Sequence, residues 1–202
     1  MTTRTKRLFQ TSRLASLLVE RMQDISRLPH HLDKAKRECQ AVIETPKGRR
    51  NKFKYKPDSG LFALSHLLPE GFSFPFEFGF IPSTAAEDGD PLDIIVLMDE
   101  AAHVGCLLDV RLIGVFRVVQ TEEGKQSQND RLLAVAVQSF GFREVKSISD
   151  LQEQLVQQIS EFLGLYNKNA GKQDEVKGIE GPEHAIELLE KAAAQFKRNQ
   201  KS

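Results

Sequence analysis

The chain has 202 residues, 40% of them hydrophobic, and its 28 basic and 28 acidic side chains cancel to a formal net charge of zero. This length suits one domain with short additions, and the apolar fraction is sufficient for a core. The neutral balance argues against a protein whose whole surface follows nucleic acid, and no run approaches the roughly 18 to 20 apolar residues that a membrane-spanning helix needs.

The N-terminal region predicts a helical extension. Apolar residues recur at helical spacing between residues 9 and 28, and Pro29 then interrupts the pattern. Residues 1–18 are rich in arginine, serine and threonine and contain no acidic residue, which is typical both of organellar transit peptides and of ordinary basic helical tails. We therefore divide the chain into an N-terminal helical extension over residues 1–38 and a domain over residues 39–202.

Short strands follow in the middle of the chain, separated by turns that are rich in glycine, proline and charged residues. The pattern predicts strand-like segments at 40–44, 51–56, 61–68 and 94–97, one long or two short strands over 103–120, a polar hairpin loop over 121–130 and a returning strand from 131.

The C-terminal part changes character. Residues 150–165 and 183–197 predict two amphipathic helices, joined by a polar connection that contains Gly171, Gly178 and Gly181. A run of short strands followed by terminal helices favours a small barrel flanked by helices.

The stretch AEDGDPLDIIVL, residues 86–97, places Asp88, Asp90 and Asp93 directly before an apolar strand. Carboxylates at ~4 Å repel each other by about 1 to 4 kcal/mol per pair, so this crowding needs an explanation. A solvated turn is one, because Asp-Gly-Asp-Pro is good turn chemistry. An EF-hand calcium loop is excluded, because Leu92 stands where an oxygen ligand is required. A magnesium site is the third explanation, since the cation would relieve the repulsion and activate a water.

With its surroundings, this loop resembles the soluble inorganic pyrophosphatase family, family I. The resemblance rests on DGDPLD, on the IIVL that follows it and on the FPFEFGFIP that precedes it. It extends from about Glu44 to the C-terminal helices. It implies an α+β fold, a small closed OB-like β-barrel of about five strands with two C-terminal helices, here with an extra N-terminal helical segment. It also implies an inorganic diphosphatase that uses Mg²⁺, with Mn²⁺ as an alternative.

The resemblance assigns roles to individual residues. In such enzymes carboxylates and magnesium ions hold pyrophosphate together with basic and tyrosine side chains, and a water between two metals attacks phosphorus. Asp88 and Asp93 match metal ligands, and Asp90 matches the aspartate that activates the water and also contacts metal. Glu44 matches a glutamate that faces the cavity, and we count it with the metal ligands. Phosphate binding falls to the remaining matched residues, Lys52, Arg131 and Tyr166.

Several positions depart from the family pattern. Arg131 and Lys54 stand where the family has lysine and glutamate, and Lys54 would bring a further cation to phosphate. Other departures are His66 for arginine, Phe74 and Phe78 for tyrosines, Glu77 for asparagine, Gln120 and Asn129 for acidic residues, and Asn167 for lysine. A single preorganised contact is often worth ~10² to 10³ in rate, so these losses together predict a slow enzyme or none.

Two functions therefore remain open. The first is magnesium-dependent hydrolysis of pyrophosphate, or of a related small phosphoanhydride, with weakened activity. The second is a catalytically impaired homologue that binds metal and phosphate or acts as a regulatory subunit. The three retained aspartates favour the first function, because a scaffold without catalysis has no physical need to keep repelling carboxylates together, whereas the lost tyrosines and arginine favour the second.

The expected partners follow from these functions. The basic stretch KGRRNKFKYK could bind single-stranded nucleic acid, but a solvated hairpin or phosphate binding explains it better. We expect no nucleic-acid partner, no membrane, a homo-oligomer and a cytoplasmic location, with organellar targeting by the N-terminal segment as the alternative.

Overall fold

The computed structural model describes residues 24–168 and 171–200. Within these ranges the chain forms nine strands and two α-helices, together with two single turns of 3₁₀-helix. In chain order they are β1 (Glu38–Thr45), β2 (Asn51–Lys56), β3 (Leu61–Leu67), β4 (Glu77–Phe80), β5 (Asp93–Leu97), β6 (Leu107–Glu122), β7 (Lys125–Gln128), β8 (Arg131–Ala136), α1 (Glu153–Tyr166), β9 (Lys172–Glu180) and α2 (Pro182–Asn199).

Five strands close into a ring. The order is β1, β4, β5, β8 and β6, and β6 pairs with β1 to complete it. All neighbours in the ring are antiparallel except β5 and β8. Gly79 permits the close approach of β4 to β1, because a Cβ atom there would lie 2.0 Å from the carbonyl oxygen of Val42. The predicted α+β fold with a small closed ring of about five strands and two C-terminal helices is confirmed.

The strand after the aspartates, β5, is one of the five ring strands and has apolar side chains on both faces. Ile94 and Val96 of β5 pack in the hydrophobic cluster that includes Leu189 of α2, whereas Ile95 belongs to the cluster that includes Leu163 of α1. This double burial explains why IIVL is a continuous apolar run instead of an alternating one. It also fixes Asp93, the first residue of β5, at the edge of a rigid core.

A two-stranded ribbon of β2 and β3 stands beside the ring. Tyr55 anchors it by packing with Val42 and Phe80, and the Phe53 N–H donates to Thr45 Oγ1 at 3.0 Å. Because side chains alternate along a strand, Lys52 and Lys54 project from the same face of β2. The ribbon thus brings the Lys54 ammonium to the aspartate loop and the Lys52 ammonium to Tyr166.

The polar segments between the predicted strands form more structure than the sequence indicated. The connection between the helices, predicted only as a polar connection, is strand β9, which pairs with β6 from Val115–Glu180 to Glu122–Lys172. The predicted hairpin loop includes the short strand β7. Both segments were missed because their side chains are mostly polar, while β6 supplies the backbone partners.

Only part of the predicted N-terminal helical extension falls on residues that the structure describes. Residues 1–23 lie outside the described ranges, so the predicted helix over 9–28 and the boundary at residue 38 stay predictions. Within the described part, residues Ile25–Arg27 form a single 3₁₀ turn capped by Asp24.

Candidate active site

The aspartate loop is both a tight turn and a cluster of carboxylates. Asp88 Oδ1 accepts a hydrogen bond from the backbone N–H of Asp90 at 3.0 Å, and Gly89 between them has a φ of +88°. Loss of hydration in the turn raises the pKa of Asp88, and the negative charges of Asp90 and Asp93 add to the rise. The turn explanation therefore holds for the backbone, while the carboxylates remain close enough to influence each other.

Lys54 reaches this loop from the ribbon. Its Nζ lies 2.5 Å from Asp90 Oδ2, and the two side chains are 43% and 54% exposed. Partial burial lowers the pKa of Lys54, but the hydrogen bond and charge of Asp90 outweigh it, so the pKa is raised overall. The residue expected to activate water is thus held by a cation of the chain itself.

Glu44 comes from the ring strand β1 and lines the same cavity, of about 210 Å³, as Lys54, Asp90 and Asp93. Its Oε1 accepts the backbone N–H of Tyr55 at 2.6 Å. Burial raises the pKa of Glu44 to about 7, against the opposing effect of the Tyr55 hydrogen bond, and the charge of Asp93 raises it further. A carboxyl that titrates near neutrality is a common feature of functional sites.

The raised pKa of Glu44 predicts how stability depends on pH. The folded protein binds a proton at Glu44 up to about pH 7, whereas the unfolded chain releases it near 4.5. The stabilisation from this group is therefore complete below pH 4.5 and is lost as pH rises through 7. In EDTA, we expect Glu44→Gln, which keeps the acceptor for Tyr55, to lose less unfolding free energy than the unchanged protein between pH 5 and 7.5.

Urea unfolding at several pH values measures this difference, which should be of the order of 2 kcal/mol across the range. Parallel pH profiles for the two proteins would show that Glu44 is ionised in the folded state at the lower end of the range.

Arg131 begins β8 next to the start of β5 and is almost fully buried, with 2% of its side chain exposed. Its guanidinium lies 3.0 Å from Asp93 Oδ2 and donates to Tyr166 Oη at 3.3 Å and to both oxygens of Asn129. Burial lowers the pKa of Arg131, but the charges of Asp93, Tyr166 and Asp174 outweigh it and raise the pKa overall. Arg131 is therefore an internal ion-pair partner as well as the expected phosphate ligand.

A buried polar network behind Arg131 was missed by the sequence analysis. Asp174 of β9 lies 3.9 Å from the Arg131 guanidinium and accepts hydrogen bonds of 2.7 Å from Gln120 Nε2 and Asn167 Nδ2. All four side chains are buried. Gln120 and Asn167 are two of the positions that depart from the family pattern, so the departures are coupled. Only the pairing of β9 with β6 brings Asp174 to them, and no local motif predicts that pairing.

Lys52 and Tyr166 meet at the other side of Arg131. Lys52 Nζ stands 4.8 Å from the centre of the Tyr166 ring, a distance typical of a cation–π contact. Phe74 and Phe78, the two substituted tyrosine positions, are buried. Phe74 packs edge to face with Phe78 and with Tyr166, and Phe78 packs against Tyr166 at a tilt. The substituted rings are core residues here.

His66 lies opposite Lys52 in the ribbon. Its Nε2 is buried and has no hydrogen-bond partner among the described residues. Burial lowers the pKa of His66, and Lys52 and Lys172 lower it further. A neutral imidazole therefore occupies the position where the family pattern has a permanently charged arginine.

The predicted site residues fall into three connected groups. Glu44, Lys54, Asp90 and Asp93 line one cavity, Arg131 connects Asp93 to Tyr166, and Tyr166 contacts Lys52. Asp88 stays on the turn beside them. Oxygen donors suit a hard cation such as magnesium. No three acidic, histidine or cysteine side chains of the described residues converge as the ligands of a metal ion. Magnesium is commonly held by one or two carboxylates, with waters and substrate phosphates as its other ligands, and Glu44, Asp90 and Asp93 in the shared cavity would supply those carboxylates.

Comparison with known proteins identifies the family and the fold. A family model described as inorganic pyrophosphatase matches residues 41–197. The inorganic pyrophosphatase of Geobacillus stearothermophilus is 35% identical over 157 residues, which cover 78% of this chain and 93% of that protein. The crystal structure of the inorganic pyrophosphatase from Thermus thermophilus has a TM-score of 0.77 at 32% identity and covers 86% of this chain and 99% of its own.

A solved inorganic pyrophosphatase from Helicobacter pylori has a TM-score of 0.76 at 29% identity, covering 84% of this chain and 98% of its own. The resemblance seen in the sequence and the expected enzyme class, an inorganic diphosphatase, are confirmed by these matches. The chain belongs to the inorganic pyrophosphatase family.

Proposed function

We propose that this chain hydrolyses inorganic pyrophosphate to two phosphates, that it requires magnesium or manganese, and that its activity is weakened. The observation that carries the proposal is the meeting of Glu44, Asp90 and Asp93 with Lys54 and Arg131 at one end of β5. Phosphoryl transfer to water depends mostly on positioning and charge neutralisation, which such a mixed cluster supplies.

The chain's own residues support distinct parts of the reaction. The ammonium groups of Lys52 and Lys54 would attract the pyrophosphate polyanion, and Tyr166 would offer its hydroxyl to a phosphate oxygen. Asp90, exposed beside Lys54, would accept the proton of the attacking water. When bound, a divalent cation would neutralise phosphate charge, and the carboxylates of Asp90, Asp93 and Glu44 are the residues that would hold it.

The internal contacts support a weakened activity. Arg131 is committed to Asp93, Asn129 and Asp174, so little of its guanidinium faces the cavity. Phe74 and Phe78 supply no hydroxyl, and both are buried. Each missing contact at a preorganised site can lower the rate by ~10² to 10³, although such losses do not simply multiply.

The decisive experiment measures phosphate release from pyrophosphate with magnesium and then with manganese, beside an Asp90→Asn variant of the same fold. We expect metal-dependent release that disappears in the variant, because the amide cannot take the proton from water. A folded protein that releases no more phosphate than the variant would rule out hydrolysis.

A regulatory or binding role is the second candidate. It is favoured by the same commitment of Arg131 to internal ion pairs and by the uncharged His66 in the ribbon. Calorimetric titration separates the two functions, because a binding subunit would take up pyrophosphate stoichiometrically and release it unchanged.

Assembly and location stay proposals. We propose a homo-oligomer in the cytoplasm that has no membrane or nucleic-acid partner. Among residues 24–168 and 171–200, no helix has the length and apolar character needed to cross a membrane. Light scattering of the purified chain would test the oligomeric state.

A further inference from the structure

Two carboxylates of the aspartate loop are already bound by cations of the chain. Lys54 Nζ is 2.5 Å from Asp90 Oδ2, and Arg131 is 3.0 Å from Asp93 Oδ2. These contacts relieve the repulsion between the aspartates, which was the physical reason to expect a metal ion there. Across the part of the chain that the structure describes, no three acidic, histidine or cysteine side chains gather as metal ligands.

The two cations differ in how easily they can leave. Arg131 is 2% exposed and has partners on several sides, so its removal from Asp93 would leave a buried charge. The Lys54 side chain is flexible and 43% exposed, so the ammonium at its end can move into water. Lys54 is therefore the cation that an incoming metal ion can displace.

The backbone keeps Lys54 directed at the loop. Its neighbour Tyr55 is buried, and the Tyr55 N–H donates to Glu44 Oε1 at 2.6 Å. Side chains alternate along β2, so the inward Tyr55 leaves Lys54 on the face that meets Asp90. The family resemblance predicts glutamate at this position, and the substitution by lysine changes the local charge by two.

We propose that Lys54 is a built-in counter-cation, which binds Asp90 and competes with a divalent cation for that carboxylate. The proposal rests on the proposed function, because it concerns the metal which that function requires. Metal affinity is then set by the cost of displacing the ammonium. A lysine ammonium is charged at neutral pH, so the competition persists under ordinary conditions.

The test is the affinity for Mn²⁺ without pyrophosphate, measured by electron paramagnetic resonance of the free ion and by calorimetry at pH 7.5. The variants are Lys54→Met, which removes the cation, and Lys54→Glu, which replaces it with a carboxylate. We expect the dissociation constant to fall by about threefold to tenfold in the first and by about tenfold to a hundredfold in the second, as Coulomb attraction through a partly screened site predicts.

Lys56→Glu is the matched control, because Lys56 is an exposed lysine two residues further along the same strand. It makes the same change in net charge but should raise the affinity clearly less than Lys54→Glu, because Lys54 is the lysine whose ammonium contacts Asp90, whereas solvent and salt screen the exposed Lys56. An equal gain from Lys54→Glu and Lys56→Glu would overturn the proposal, as would unchanged affinity in both Lys54 variants. A misfolded variant cannot imitate the expected result, because the result is tighter binding.

The binding readout separates this inference from the proposed function. If the unchanged protein releases no phosphate while Lys54→Glu binds Mn²⁺ more tightly than Lys56→Glu, the counter-cation stands and the pyrophosphatase proposal fails. If phosphate release depends on magnesium but neither Lys54 variant changes the affinity, the pyrophosphatase proposal stands and the counter-cation is refuted.

Discussion

Replacing Arg131 by methionine should destabilise the protein by about 3 to 5 kcal/mol, because it leaves the buried carboxylate of Asp174 and the partly buried carboxylate of Asp93 without their cation. Asp174 would lose a guanidinium at 3.9 Å and Asp93 one at 3.0 Å. Methionine fills much of the space, so the loss reports on charge more than on packing. The same variant should lower phosphate release by a further factor of about 10² to 10³ if Arg131 also contacts phosphate.

Arg131→Lys is the matched control, since it keeps the positive charge at the position where the family pattern has lysine. It should recover most of the stability, although one ammonium cannot reproduce the contacts to Asp93, Tyr166 and Asn129 together. Urea unfolding in EDTA measures both variants. Equal stability of the lysine and methionine proteins would show that the buried charge of residue 131 contributes nothing.

Strand β5 of the ring and the two C-terminal helices could be predicted because their sequence patterns are local. The apolar run at 94–97 does not alternate with polar residues, as a strand with one face in water would, and it is buried on both faces as part of β5. The two helices follow the 3.6-residue period, and their predicted limits differ from α1 and α2 by three residues or fewer. Strand β9 could not be predicted in this way. Its more buried face, every second residue from Lys172, is mostly polar or charged, so no apolar alternation marks it as a strand, and its stability comes from pairing with β6.

The candidate site also combines residues that a local motif reveals with residues that only the fold brings to them. Asp88, Asp90 and Asp93 were recognisable because a short motif places them together, and Glu44, Lys54 and Arg131 join Asp90 or Asp93 in the structure. The motif does not reveal that the carboxylates are bound by the chain's own cations, since each ion pair joins residues at least 36 positions apart. Asp174 had no motif at all. Such pairs form only when the ring brings distant strands together, and a local sequence motif does not encode that arrangement.

The coupling of Gln120 with Asp174 predicts that the buried carboxylate can be moved across the network. Gln120→Glu alone should destabilise the protein by about 3 kcal/mol at pH 7.5, because it places a second carboxylate where a 2.7 Å hydrogen bond to Asp174 now lies. Asp174→Asn alone should cost about 2 kcal/mol, because it removes a charge that faces Arg131 and two amide donors.

Both substitutions preserve side-chain size, so the double variant differs from the original only in where the charge resides. In Gln120→Glu with Asp174→Asn, the new asparagine would donate to residue 120 and still accept from Asn167, so the hydrogen bonds survive with one reversed. We expect its unfolding free energy to return to within about 1 kcal/mol of the original, a strong coupling in the double-mutant cycle. If the two losses simply add, the network is not a unit, and the departures at 120 and 167 have no common cause in Asp174.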